Sequence, residues 1–397
     1  MWQVLRRQQG EYYEKEGHVA VPTDLAGHGE HVKVALSLRT ISMHETKPYA
    51  PPKDPLVLTM PYGNVVYPKI ARNLGNENVV LRRQAVQMLL DLYLLKREHI
   101  VMSLGAGILD ALLERLNDAD DDMRTQACIA LEFIVKEPKG QEVVLSRGTE
   151  VLSTFLNATD DQCGDVVVEA LRLLSSTHAA YNEYESTRRL VALGAIPRYI
   201  KKVLDRDDAV CCTACGALVK VLDIKEAFVE VIQHSGMEAV TKALRRNDEP
   251  MILVEASGVV SSIAVFGQGL ARCTSLQTVA ALIPHLRHEH VTVRTHCTSA
   301  AAQLVVHAEG KAQAIACGIV PALSMAVSVE DELDVLMNLV KTIRLVSEHP
   351  QARAELATVV DRLREIVSLA GDEHKELAAA TEKALASIEW VPGTPLP

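Results

Sequence analysis

The chain has 397 residues, a formal net charge of −10, and 48% hydrophobic but only 4% aromatic residues. The negative balance speaks against general affinity for nucleic acid or acidic membranes, and no apolar run approaches the roughly 20 residues that a membrane span needs. The N-terminal MWQVLRRQQGEYYEKEG lacks the apolar core of a secretory signal, and the eight cysteines read as reduced core thiols rather than a disulfide framework, so an intracellular protein is expected.

Residues 1–60 follow no repeat. His31 to Ile41 fits one short helix, and Lys47 to Pro55 carries four prolines, which remove backbone donors and favour extended neighbours. We expect an extended, partly irregular N-terminal arm here, either a disordered leader or a segment that docks on a neighbouring subunit.

From residue 61 to 390 a repeat takes over. The last apolar residue before a polar turn recurs at Leu74, Leu116, Leu156, Leu204, Leu244, Leu286, Val327 and Leu369, at intervals of 42, 40, 48, 40, 42, 41 and 42. The turns (GNEN, NDAD, NATD, DRDD, RRND, RHEH, SVED, AGDE) mostly supply Asn or Asp to cap the next helix. A small residue often falls eleven positions after the anchor, at Ala85, Ala127, Cys215, Cys297 and Ala380, where helices would approach closely. Gly105, Gly148, Gly194, Gly236 and Gly318 precede the helix that ends at the anchor, as in ALGAIP and ACGIVP. Gly ends the preceding helix and Pro suits the first turn of the next. The unit around Leu276 to Leu286 lacks the Gly. The 48-residue interval places an insertion near Ser176 to Arg189. Residues 391–397 form a tail, and Trp390 is expected to cover the end of the stack.

The period of about 40–47 residues with this punctuation resembles the armadillo family. The resemblance implies an all-α, right-handed solenoid of about seven to eight three-helix repeats. Taking the helix after the glycine as the third of each repeat puts it on the concave surface. The basic residues Arg198, Lys201 and Lys202, then Lys242, Arg245 and Arg246, then Arg287 and His288, would there form a stripe suited to an acidic peptide; the alternative is ordinary solubilising charge at helix ends. Armadillo import-signal receptors use repeated Trp and Asn, but Trp occurs here only at positions 2 and 390.

Chemistry-bearing motifs are sparse. GQGLAR (Gly267 to Arg272) is too short for a phosphate-binding loop, and neither GxSxG nor HExxH occurs. Cys212 and Cys215 form a CxxC beside Cys211, but no partner pair lies nearby to complete a zinc site, so core thiols are expected. His285 and His288 fit a solvated turn. No cofactor, metal or catalytic residue is assigned, and an enzyme is not expected.

One segment carries a narrower resemblance. Asp54 to Leu74 leads into Val79 to Leu92, with Tyr62-Gly63, Pro68-Lys69, Arg83-Gln84-Ala85 and Asp91-Leu92. This resembles the entry to the repeat array in the radial spoke protein 14 family, also called rhabdoid tumor deletion region protein. It implies a non-enzymatic subunit of ciliary or flagellar radial spokes, located in the axoneme and partnered by other spoke proteins; the charge balance and the lack of an apolar span add the expectation of no nucleic acid and no membrane partner. The competing expectation is a soluble armadillo adaptor that binds acidic peptide segments of cargo or signalling partners.

Overall fold

The computed structural model of the chain describes residues 56–59, 63–178, 184–246, 249–371 and 373–391. The remainder of the expected arm over 1–60, the centre of the 176–189 insertion and the tail beyond Val391 lie outside them. All the described helices belong to the unit Met60–Pro397.

Each repeat is two short helices and one long one. The first repeat has only α1 (Val66–Leu74) and α2 (Val79–Leu95) among the described residues. Then come α3 (Arg97–Leu104), α4 (Ile108–Arg115) and α5 (Asp121–Lys136), and α6 (Pro138–Ser146), α7 (Thr149–Ala158) and α8 (Gly164–Thr177). The next are α9 (Glu185–Ala192), α10 (Ala195–Val203) and α11 (Asp208–Val221), then α12 (Lys225–Gln233), α13 (Gly236–Leu244) and α14 (Pro250–Ala264). They are followed by α15 (Gly267–Ser275), α16 (Thr278–Leu282, continued as a 3-10 turn to Arg287) and α17 (Val291–Leu304). The last two are α18 (Ala308–Ala316), α19 (Ile319–Val329) and α20 (Leu333–Val346), and α21 (Pro350–Leu356), α22 (Val360–Ala370) and α23 (Lys375–Glu389).

The polar turns precede the long helices, but the expected side-chain caps form at three of them: Asn78, Asp120 and Asp207 each accept a hydrogen bond from a backbone N–H at the start of the helix, satisfying donors that a helix start leaves open. Cys163, Glu249, His290, Glu332 and His374 stand at the other starts and make no such bond. The marked small positions Ala85, Ala127, Cys215 and Cys297 are fully buried. In the last repeat the buried position is Thr381 rather than Ala380. Leu, Ile and Val fill the remaining core, each fully buried large side chain contributing about 1.5–3 kcal/mol.

Two anchors are misassigned. Leu204 is 48% exposed and Leu369 72%, while Val203 and Ile366 are buried beside them. The apolar face of α10 runs Ile196, Tyr199, Ile200, Val203, steps of three and four that leave Leu204 beyond its edge.

The phase of the repeat also needs correction. The most extensive packing between repeats runs along the long helices α2, α5, α8, α11, α14, α17, α20 and α23. In a curved stack, elements on the inner side approach most closely, so these ladder helices line the concave face. The helices after the glycines, which the sequence places there, form the layer behind.

Left-handed residues mark the start of that second layer. Gly107, Gly148, Gly194 and Gly318 have φ between 77° and 83°. Gly105 instead is helical, with φ −71°. Ser235 takes the left-handed conformation in place of Gly236, and Gln277 takes it in the unit without glycine. An added Cβ at Gly105 or at Gly194 meets nothing within 4 Å, so the two differ by backbone conformation alone. Gly194→Ala is expected to destabilise by about 1–2 kcal/mol, whereas Gly105→Ala is neutral or slightly stabilising. Urea unfolding of the two variants measures the difference.

Candidate functional site

The open face of the ladder is set by helical spacing. Counted from each capping residue, the ninth positions are Gln87, Ile129, Arg172, Gly216, Gly258, Ser299 and Lys341. Gly216 and Gly258, on the neighbouring helices α11 and α14, remove two consecutive side chains from the middle of this face. A Cβ at Gly216 would stand 3.3 Å from Glu255 Oε2, and one at Gly258 3.3 Å from Val219 Cγ2. Both glycines therefore permit close approach of the adjacent ladder helix as well as opening the floor. A mid-helix glycine is unfavourable by about 1 kcal/mol relative to Ala, so the two are not conformational conveniences.

Carboxylates surround that floor. Glu169 is half-buried, and burial raises its carboxyl above the usual range against the pull of Arg172, whose Nη1 donates to it at 2.6 Å. Glu132 accepts from Ser176 Oγ at 2.8 Å and pairs with Lys136 at 2.8 Å. Glu255 has neither hydrogen bond nor ion pair among the described residues. Burial holds its carboxyl above the usual range as well, opposed only by the more distant charges of His296 and Lys220. A half-buried carboxylate without a partner, beside a floor of two glycines, is an open acceptor for a donor or cation from outside the chain.

The predicted basic stripe is placed elsewhere. Arg198, Lys201 and Lys202 lie on or at the end of α10, Lys242 on α13 with Arg245 and Arg246 just beyond, and Arg287 and His288 at the end of the turn after α16. All belong to the layer behind the ladder. Arg198 donates to Leu156 O and Asp160, both at 2.9 Å. Arg246 donates to Asp205 O and Arg206 O and pairs with Asp208. These two join one repeat to the turn before it. Lys201, Lys202, Lys242, Arg245 and Arg287 have no partner among the described residues, and His288 accepts from the His290 N–H at 3.1 Å.

Cys211 and Cys215 are fully buried, and Cys211 Sγ donates to Val203 O at 3.1 Å. Cys212 faces the groove side, half-buried, its thiol pushed up to about 11 by burial and by Glu255. Among the described residues no group of three or more His, Cys, Asp and Glu is placed to hold a metal, and no single helix is long and apolar enough to cross a membrane.

Solved structures share this architecture. The fold is an armadillo-type solenoid. A designed armadillo repeat protein in complex with the peptide (KR)4 matches with a TM-score of 0.54 at 19% identity, over 60% of this chain and 99% of that one. Computationally designed armadillo repeat proteins for modular peptide recognition match at 0.53, 19% identity and the same coverage. An engineered protein matches at 0.69 and 18% identity, over 81% of this chain and 78% of that one. No protein-family profile matches the sequence, and no curated protein does.

Sequence reasoning missed Glu169, Glu255, Gly216 and Gly258 because it assigned the concave face to the wrong helix. The signal was present: Gly216 and Gly258 stand one 42-residue period apart, each two positions beyond a buried small residue.

The raised pKa of Glu255 has a defined sign in stability. The folded chain holds this proton more tightly than the unfolded chain, so ionisation opposes folding, and stability falls as pH rises past the unfolded value of about 4.5. Glu255→Gln is therefore expected to raise the melting temperature near neutral pH, with the gain fading below the unfolded value. Thermal unfolding at the two pH values checks it.

Proposed function

We propose that the chain is a non-enzymatic docking scaffold whose ladder groove holds an extended, cation-bearing segment of a partner protein. The observation that carries this is Glu255, without a hydrogen bond or ion pair among the described residues, beside the glycine floor of Gly216 and Gly258, with Glu169 on the same face two repeats away. Glycines let the backbone of a bound segment approach closely, and a half-buried carboxylate favours a lysine or arginine over a neutral side chain. The complex of a designed armadillo repeat protein with a (KR)4 peptide supports the same polarity by analogy of fold.

The acidic-peptide alternative moves to the outer layer, where Lys201, Lys202, Lys242, Arg245 and Arg287 are unpaired among the described residues. It fits a second partner surface, weaker in shape because these side chains project from helix ends.

In finer form, the scaffold is a radial spoke component of the ciliary or flagellar axoneme, held there by multi-point docking to other spoke proteins. The resemblance of residues 54–92 to the radial spoke protein 14 family supports this. A subunit of that kind stays with detergent-extracted axonemes of ciliated cells; recovery wholly in the soluble fraction would leave the adaptor form.

The groove is tested directly with a labelled peptide of alternating lysine and arginine. Fluorescence anisotropy is expected to show saturable binding that weakens about ten-fold in the Glu169→Gln, Glu255→Gln double variant. Equal affinity in the two proteins would remove the groove from consideration.

A further inference from the structure

The polar turns follow one another along one edge of the solenoid. At the fourth position past the cap, α2, α5 and α17 carry Arg82, Arg124 and Arg294, each reaching an acid on the next turn. The equivalent residue of α20 is Leu336. With Leu333, Ile366, Leu369, Ala370 and Leu377 it lines a cleft between Asp331, just before α20, and His374, just before α23. Leu369 is 72% exposed and Leu333 44%, so this edge leaves aliphatic surface in water.

The exposed rim is mainly acidic. Asp331 borders the cleft with its side chain 93% exposed, and Glu332, Asp334 and Glu373 are exposed beside it. Their carboxylates have no partner among the described residues, Asp331 excepted. Arg362 also borders the cleft, but it is largely covered and already paired with Asp331 at 3.1 Å and Glu365 at 2.8 Å. Exposed leucines bounded by unpaired acids disfavour nucleic acid and acidic lipid alike, and match an aliphatic side chain flanked by lysine or arginine.

We propose that this cleft is a second docking surface, distinct from the ladder groove, which takes the aliphatic anchor of a short basic segment of a partner protein. The anchor fills the slot between Leu333 and Leu369, and its flanking cations face Asp331, Glu332, Asp334 and Glu373. Fluorescence anisotropy on the full chain tests it, with a labelled peptide of lysines and serines around one leucine. Replacing that leucine by serine is expected to weaken binding roughly ten-fold or more, the effect of one buried leucine. Leu369→Asp does the same from the protein side, and the exposed position leaves the melting temperature unchanged. The Glu169→Gln, Glu255→Gln double variant retains the leucine-dependent binding, so failure of the groove and failure of the cleft are told apart. A serine peptide that binds as tightly as the leucine peptide overturns the proposal, as does unchanged binding by Leu369→Asp. A change in sedimentation of Leu369→Asp without any peptide binding would assign the cleft to a second copy of the chain and overturn it equally.

Discussion

Everything in this solenoid depends on how one polar turn is joined to the next. Arg82 donates to Asn76 O and Glu77 O of its own turn and to Asp118 of the following one. Arg124 repeats the arrangement with Asp118 O and Asp161, and Arg294 with His288 O, Glu289 O and Glu330. Where the ladder helix lacks arginine at that position, a residue of the next second-layer helix or the turn beyond it reaches back instead: Arg198 to Leu156 O, Arg246 to Asp205 O, Arg362 to Val327 O. The guanidinium suits the task because its planar fork satisfies several acceptors at once. These bonds fix register along an array that hydrophobic packing alone would leave free to slide, since stacked aliphatic faces are non-directional.

That dual use explains how far the sequence could be followed. Period, caps and buried small residues were legible because they are local: a turn, a helix start, one close contact. The acidic turns read locally as caps, but their second role, as acceptors for arginines 36–38 residues away, is a tertiary fact that no local pattern states. Arg198 and Arg246 consequently looked like surplus charge available for a ligand. The concave face was misplaced for a related reason. A repeat has no intrinsic first helix, and Gly-x-Ile/Val-Pro marks a boundary without saying which side of it faces inward.

The groove shows a different economy. Glu255 is held in a setting that disfavours its charge, and two ladder helices carry glycine where alanine would be more stable. Local rules are broken together at one place, on neighbouring repeats: the glycines gain close approach of the adjacent ladder helix, but among the described residues no hydrogen bond or ion pair compensates Glu255. In a fold this repetitive, such a departure is informative because every other repeat supplies its own control: the same positions hold Gln84 and Gln87 in the first repeat, Gln126 and Ile129 in the second.

One link in the series of turns differs in kind. Between the turn after Leu244 and the turn after Leu286, the described residues supply no arginine; buried His285 bonds Leu244 O at 3.1 Å instead. Burial lowers the pKa of this imidazole, so the bond is a single neutral one, where the other links are multiple and charge-assisted. In mechanical terms the array is a chain of springs in series with one compliant member. Load carried along the rod by partners at its two ends would concentrate as bending there, beside the glycine floor of α14, and the curvature of the groove would respond to tension.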